Sequence, residues 1–201
     1  MRLPGSAHTS LPWRIHALTR DFRIEDVWGV RAPGRADDFA RAVKLATSQD
    51  PSRSSSRVVR DLFALRWKIG ELLGWDGAQT GVGARVRTLR DRLPSDLLER
   101  SGPEFAALPF ASLYLLDDEF AAETANATMH GVMHLGWAPD GAGGHRLQMA
   151  VLVKPNRRFG GAYMAAIRPF RHRLVYPAAM GEFERAWRAA PRTPRPAARP
   201  C

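Results

Sequence analysis

A change of hydrophobic period divides this chain and limits what it can fold into. From Phe110 to Val153 apolar residues alternate with polar ones at a period of two; from Tyr163 to Trp187 they recur every three or four residues. The first pattern belongs to half-buried β-strands and the second to an amphipathic helix. Strands are predicted over residues 112–116, 120–124, 127–137 and 147–153, with turns at Asp117-Asp118 and over 140–144. Connections this short make consecutive strands antiparallel. Met129, Met133, Leu135 and Trp137 share one face of the third strand, and Leu147, Met149, Val151 and Val153 share one face of the fourth. These two faces are expected to form a single inner surface.

The helical stripe that follows runs through Tyr163, Ile167, Phe170 and Leu174. It continues through Tyr176, Met180, Phe183 and Trp187 with a shift of one residue. Pro169 and Pro177 lie inside it. Each removes a backbone donor and crowds the carbonyl four residues back, so the helix must kink or split there.

Before the strands, residues 22–28 are partly alternating and end at Pro33-Gly34, which reads as a strand or extended entry. Residues 37–47 space Phe39, Val43 and Ala46 at helical intervals, and 52–56 is a polar loop. Val58, Val59, Leu62, Leu65, Ile69 and Leu72 predict a further helix, with Gly74 as its C-cap. Short helical pieces over 86–93 and 95–99 are divided by Pro94. The expected class is α+β, an antiparallel sheet wrapped around a long kinked C-terminal helix, with helices inserted in the N-terminal half. Residues 1–12 and 189–201 are poor in large apolar side chains, so they are expected as a flexible N-terminus and a disordered Pro/Arg-rich tail flanking one domain over 13–188.

Composition narrows the function classes. No stretch approaches the 18 apolar residues of a membrane span, and the start has no continuous apolar run of the kind a secretory signal needs. The single cysteine, Cys201, cannot build a disulfide framework or a thiolate zinc site, so a reducing, cytoplasmic setting is expected. The net charge of +10 suggests nucleic acid at first. Yet of 30 basic residues only Lys44, Lys68 and Lys154 are lysines, and the remaining 30 − 3 = 27 arginines are scattered along the chain. Acidic residues interrupt most basic runs, so no specific nucleic-acid partner is expected. The glycines of 74–83 lack the Gly-Lys-Ser/Thr ending of a phosphate loop and follow a helix rather than a strand. No Gly-x-Ser-x-Gly elbow occurs. No cofactor is expected.

The polar residues that could carry chemistry gather around the third strand: Glu123, Asn126, Thr128, His130 and His134. Histidines four apart on a strand share a face but lie about 13 Å apart, too far to grip one metal. Alternation puts His130 and His134 opposite Met129 and Met133, away from the apolar surface. A surface or hydrogen-bonding role and a proton-transfer role both stay open. Glu123 could serve as a general base if burial raised its pKa, whereas Asp117, Asp118 and Glu119 read as solvated turn formers. His172 stands among Arg168, Arg171 and Arg173, an anion cluster or a solvated helix face pairing with nearby acids. Trp67, Trp75 and Trp137 read as core.

Several of these residues also form a recognisable pattern. Glu123-x-x-Asn126-x-Thr128-x-His130-x-x-x-His134-Leu135-Gly136-Trp137, then Val153-Lys154-Pro155, then Tyr163-Met164-x-Ala166-Ile167-x-Pro169-Phe170-Arg171 and Tyr176-Pro177, together with Arg92-Leu93-Pro94-x-Asp96-Leu97, resemble the bacterial domain-of-unknown-function family 2867 over about residues 20–188. That family is similar to the helix-grip superfamily of START and pollen-allergen-like domains. The resemblance implies a sheet gripping a C-terminal helix over a cavity that takes apolar ligands, and it assigns no catalytic residue. The leading expectation is a domain binding a small apolar or amphipathic molecule between Met129, Met133, Leu147 and Met149 of the sheet and Tyr163, Ile167 and Phe170 of the helix. An enzyme using His130, His134 or Glu123 in the same cavity, and a homodimerisation domain without a ligand, are the alternatives.

Overall fold

The structure is a computed structural model, and it describes residues 1–58, 60–61, 63–64, 68, 81–83, 86–126, 129–155 and 169–190. Six strands form one antiparallel sheet: β1 (Arg2–Leu3), β2 (Arg23–Gly34), β3 (Ala111–Leu115), β4 (Glu119–Ala125), β5 (Met129–Pro139) and β6 (His145–Pro155). Their order is β1-β2-β6-β5-β4-β3, so β3 to β6 run as a meander and β2 returns to pair with β6. The sheet is open, with β1 and β3 at its edges.

The β5/β6 ladder is unbroken from Met129 opposite Pro155 to Pro139 opposite His145. Its turn is closed by Asp140, whose carboxylate accepts the N–H groups of Ala142 at 2.8 Å and Gly144 at 3.0 Å. Gly141 and Gly143 supply the left-handed backbone that this turn needs, at φ 82° and 85°.

Alternation along these strands feeds two cores, one on each side of the sheet. On one side Leu135, Trp137, Leu147, Met149, Trp28 and Val30 pack against α3 (Phe39–Thr47) and the C-terminal helix. Met133 and Val151 border the same cluster, so the shared inner surface expected of β5 and β6 faces the C-terminal helix. On the other side Val27, Val132, Ala121, Ala150 and Leu152 pack beneath Trp13, α2 (Ile15–Leu18), a 3₁₀ turn over Leu89–Arg92 and α4 (Ser95–Leu98). The two helical pieces divided by Pro94 are therefore present and seat Leu89, Leu93 and Leu97 in this second core. The predicted helix from Val58 to Leu72 and its cap at Gly74 lie largely outside the described residues, as do Trp67, Trp75 and residues 191–201.

Residues 1–12, expected to be flexible, are folded. Arg2–Leu3 pair with Trp28 and Val27, and α1 (Ser6–Thr9) follows directly. The free edge of β2 offers backbone donors and acceptors, and His8 of α1 is fully buried against the sheet. Low apolar content misled because the few apolar residues of the segment, Leu3 and Leu11, pack against the core and the buried contact of His8 with His134 at 3.0 Å adds to them.

The C-terminal helix departs from α geometry between the two prolines. Arg171–Val175 form a π-helical turn, with the Tyr176 N–H donating to the Arg171 carbonyl, and α5 (Tyr176–Ala189) continues from it. The wider turn absorbs the donor missing at Pro177. Tyr176, Met180, Phe183 and Trp187 lie on the sheet as predicted. Phe170 and Leu174, expected in the same stripe, are instead 53% and 38% exposed. In that turn Arg171 and His172 face the sheet. The far end of α5 is fixed by Arg41, whose guanidinium stacks 4.0 Å over Trp187 and donates to the carbonyls of Trp187 and Ala190.

Trp13 packs directly over Gly136 of β5, where a Cβ would lie 2.7 Å from the indole ring. Gly136→Ala should therefore over-pack this contact and lower stability by about 1–3 kcal/mol, read as a lower urea midpoint. Unchanged stability would mean that the N-terminal layer is not seated on the strand.

Candidate functional site

The second face of the sheet carries the glutamates and histidines. Glu119 and Glu123 are four residues apart on β4, as are His130 and His134 on β5; Glu119 lies opposite Gly136 and Glu123 opposite Val132. Each glutamate thus has a histidine on the neighbouring diagonal, and the register produces two parallel Glu–His pairs. His130 Nε2 lies 2.8 Å from Glu123 Oε2, and His134 Nε2 lies 3.0 Å from Glu119 Oε2. All four residues are buried. The expectation that these histidines avoid the interior is overturned: the face opposite the methionines is a second interior, roofed by the N-terminal segment. Glu119 likewise is no solvated turn former, since its carboxylate accepts the Arg14 N–H at 2.8 Å.

Glu123 is fully engaged. Besides His130 it accepts the Thr88 hydroxyl and the Leu89 N–H, the latter at 3.0 Å. Burial works to raise its pKa, but the bonds from His130, Thr88 and Leu89 outweigh that and leave it lowered. The motif residues Arg92 and Asp96 pin the same segment from outside, Arg92 to Asp21 at 2.7 Å and Asp96 to Arg14 at 2.9 Å. Asn126 shapes the turn into β5, accepting the Met129 N–H at 3.1 Å. Thr128 lies outside the described residues.

The Glu119 pair extends into a chain. His134 Nδ1 lies 3.0 Å from His8 Nε2, and His8 Nδ1 has no partner. The rings of His8 and His16 meet edge to face at 4.8 Å. Burial pushes Glu119 up to about 7, against the N–H groups of Arg14 and Ile15. Burial holds His134 down to about 3, with His16 contributing, and His8 down to about 3, with His134 and His16 contributing. Burial and the Glu119 charge also push the Tyr114 hydroxyl up. Each link needs one proton. An ionised Glu119 takes it from His134 Nε2, and His134 Nδ1 takes one from His8; a protonated Glu119 reverses both donors. One proton taken up at Glu119 switches both tautomers without moving a side chain.

A third polar cluster lies on the opposite, helix-facing side. Asp26 is buried on β2, opposite Val151 and two residues from Trp28, which lies opposite Met149. A bulge between Ile24 and Asp26 shifts the register there. Asp26 Oδ1 bonds His172 Nε2 of the π-turn, and the Arg171 guanidinium reaches Asp26 at 3.4 Å and Glu25 at 3.3 Å. Tyr176 and Trp28 pack at 5.5 Å. Burial, with the charges of Asp26 and Glu25, pushes the Tyr176 hydroxyl up. Beside this cluster runs a groove of about 540 Å³ lined by Arg2, Leu3, Pro4, Ile24, Glu25 and Asp26. The reading of His172 and Arg171 as pairing with nearby acids matches these contacts, although both side chains are mostly buried rather than solvated. Asp26 was missed. Its signal was the break in alternation at Glu25-Asp26, two acids in a row directly before the apolar run Val27-Trp28-Gly29-Val30.

The sheet separates the expected site residues. Glu123, His130 and His134 lie on one face and Met129, Met133, Leu147 and Met149 on the other, so one cavity cannot be lined by both sets. Tyr163 and Ile167 lie outside the described residues. Among the described residues no group of three or more His, Cys, Asp or Glu is arranged to hold a metal, and no helix is long and apolar enough to cross a membrane.

These features define a mixed α+β domain in which an open antiparallel sheet carries buried polar clusters on both faces. The chain belongs to the family described as "Protein of unknown function (DUF2867)", whose model matches residues 18–178. The match includes Asp26, both Glu–His pairs and His172, and begins after His8 and His16. No curated protein and no solved structure matches the chain.

The shifts in the Glu119 chain set a pH profile. His8 and His134 have folded pKa values below the unfolded ones, so their contribution is present above about pH 6.5 and is lost as pH falls toward 3. Glu119 is raised from 4.5, so its contribution is present below pH 4.5 and is lost as pH rises through about 7. The urea midpoint should climb steeply from about pH 3, climb less steeply between about pH 4.5 and 6.5 where the Glu119 loss opposes the histidine gain, and level off near pH 7. Glu119→Gln should steepen the climb between about pH 4.5 and 7 and keep the acid limb; an unchanged profile in this variant counts against the assignment.

Proposed function

We propose that the protein binds a small amphipathic molecule at the Met133 end of the sheet–helix interface, in the manner of a helix-grip domain. The observation that carries this reading is the uneven filling of the helix-facing surface. At one end Trp137, Leu147, Phe183 and Trp187 are buried in mutual contact, with Trp137 and Trp187 rings 6.0 Å apart. At the other end Met129, Met133, Val151, Tyr176 and Met180 are only partly buried, the looser apolar packing that a bound small molecule would complete. Leu147 and Met149 then act as the packed floor, and Met129 and Met133 as the adaptable wall, since thioether side chains fit irregular ligands. Phe170, exposed on the far side of its turn, drops out of the binding set.

The exposure of Phe170 and Leu174, four residues apart, favours a second reading: two copies associating through that strip. Anilinonaphthalene sulfonate is a suitable amphipathic probe. Its fluorescence should rise with folded protein and saturate at one site. Met133→Arg should remove at least about nine-tenths of that rise, while Leu98→Arg, at an exposed position on the opposite layer, should leave it intact. No rise, or a rise unaffected by Met133→Arg, defeats the binding reading. A dimer by light scattering that Leu174→Glu dissociates establishes the second.

A further inference from the structure

The pairing of β2 with β6 contains a second and larger irregularity near the β5/β6 hairpin. Gly29 lies opposite Gln148 and Pro33 opposite Arg146, so Val30, Arg31 and Ala32 stand against Leu147 alone. Surplus residues of this kind bend a strand away from its neighbour. Beside the bulge lies a pocket of about 240 Å³, lined among others by Arg31, Arg146, Asp140, Met1 and Pro33.

The two arginines of this pocket are unmatched. Among the described residues neither guanidinium makes a hydrogen bond or an ion pair, and Arg146 Nε is buried without a partner. A buried donor left in that state is costly, and a charged one more so. The nearby carboxylates are engaged elsewhere. Asp140 accepts the Ala142 and Gly144 N–H groups of its own turn, and Glu184 accepts the Arg31 N–H at 3.0 Å. The Met1 amino group donates to the Gly29 carbonyl at 2.5 Å. Burial lowers its pKa, Glu184 works against that, and Arg31 and Arg146 add to it. Both guanidinium groups therefore act on one place.

Two guanidinium groups against the Asp140 carboxylate leave the side chains of the lining with one positive charge in excess. That excess is matched by a monoanion rather than a dianion. The rest of the lining, including Met1, Val30, Ala32 and Pro33, carries no polar side-chain group, which suits an alkyl group better than a shell of oxygens. A carboxylate also takes the paired N–H bonds that a guanidinium offers. We propose that the pocket at the β2 bulge binds a small aliphatic monocarboxylate, its oxygens held by Arg146 and Arg31 and its alkyl group against Met1 and Pro33. This is a second site, near the hairpin rather than at the Met133 end, and it does not depend on the amphipathic-ligand reading.

Isobutyrate, isobutyramide and inorganic phosphate, titrated into the full chain at constant ionic strength, test this through the arginine Nε–H resonances. The Arg146 signal is the one that Arg146→Lys removes. Isobutyrate should bind saturably with a dissociation constant on the order of millimolar, as its size allows, and should shift that signal. Arg146→Gln and Arg31→Gln should each weaken isobutyrate at least about tenfold through the loss of charge-assisted hydrogen bonds. Arg31 is exposed, so its variant reports on binding even if Arg146→Gln does not fold. Isobutyramide binding as tightly as isobutyrate, or isobutyrate binding unchanged in Arg31→Gln, overturns the proposal. Tighter binding of phosphate overturns it in favour of a phosphate-bearing ligand at the same arginines. The absence of a saturable shift with every probe shows that the pocket takes no anion.

Discussion

The structure depends on the unbroken ladder between Met129–Pro139 and His145–Pro155. Eleven residues on each strand pair without a bulge, so side-chain alternation is carried the length of the sheet with no slip. A shift by one residue would exchange the two faces, sending His130 and His134 toward the C-terminal helix and Met133, Leu135 and Trp137 toward the N-terminal layer. Each layer recognises only its own face. Trp187 and Phe183 fit aromatic and aliphatic side chains; His8, Arg14 and Thr88 fit imidazoles and carboxylates. Two incompatible surfaces on one strand are a strong determinant of register.

Burying polar residues on the second face is costly unless every group is matched, because the desolvation of a carboxylate amounts to several kcal/mol. Glu123 meets that condition with partners from two elements. The Glu119 chain meets it less completely, ending at an unpartnered His8 Nδ1, and burial shifts Glu119, His134 and His8 strongly. The two pairs therefore share geometry but differ in electrostatic character. Neither stability nor specificity of this layer rests on apolar area alone, since His8 contributes a polar contact at the point where the N-terminal segment meets the sheet.

Much of the fold was legible because the strand and helix periods are clean. The strands from Ala111 to Pro155, the turn at Asp140–Gly144 and the sheet-facing stripe Tyr176, Met180, Phe183 and Trp187 all follow from spacing. The sites were harder to read, for three separate reasons. Alternation shows that His130 and His134 share a face but not whether that face meets water, and the covering layer comes from residues with little apolar content. The diagonal pairing of Glu119 with His134 depends on strand register, which no local pattern encodes. The rotation of Phe170 and Leu174 out of the stripe depends on whether the chain between Pro169 and Pro177 breaks, kinks or widens into a π-turn, and all three relieve the same missing donor.

Two irregularities meet at Asp26. The bulge at Ile24/Asp26 interrupts a ladder and the π-turn at Arg171–Val175 interrupts a helix, and each forfeits regular hydrogen bonding. Independent defects would be expected to scatter; these face each other, and the side chains they present are complementary. The bulge adds a residue so that Glu25 and Asp26 can both reach Arg171, while the wider helical turn brings Arg171 and His172 together onto the sheet side. A straight strand against a straight helix would offer alternate residues to alternate partners, and a carboxylate at position 26 would face an aliphatic stripe. The ion-pair cluster therefore requires both distortions at once, and either distortion alone would leave a buried charge unmatched. That mutual dependence accounts for the persistence of two locally unfavourable backbone conformations at this point of contact between sheet and helix.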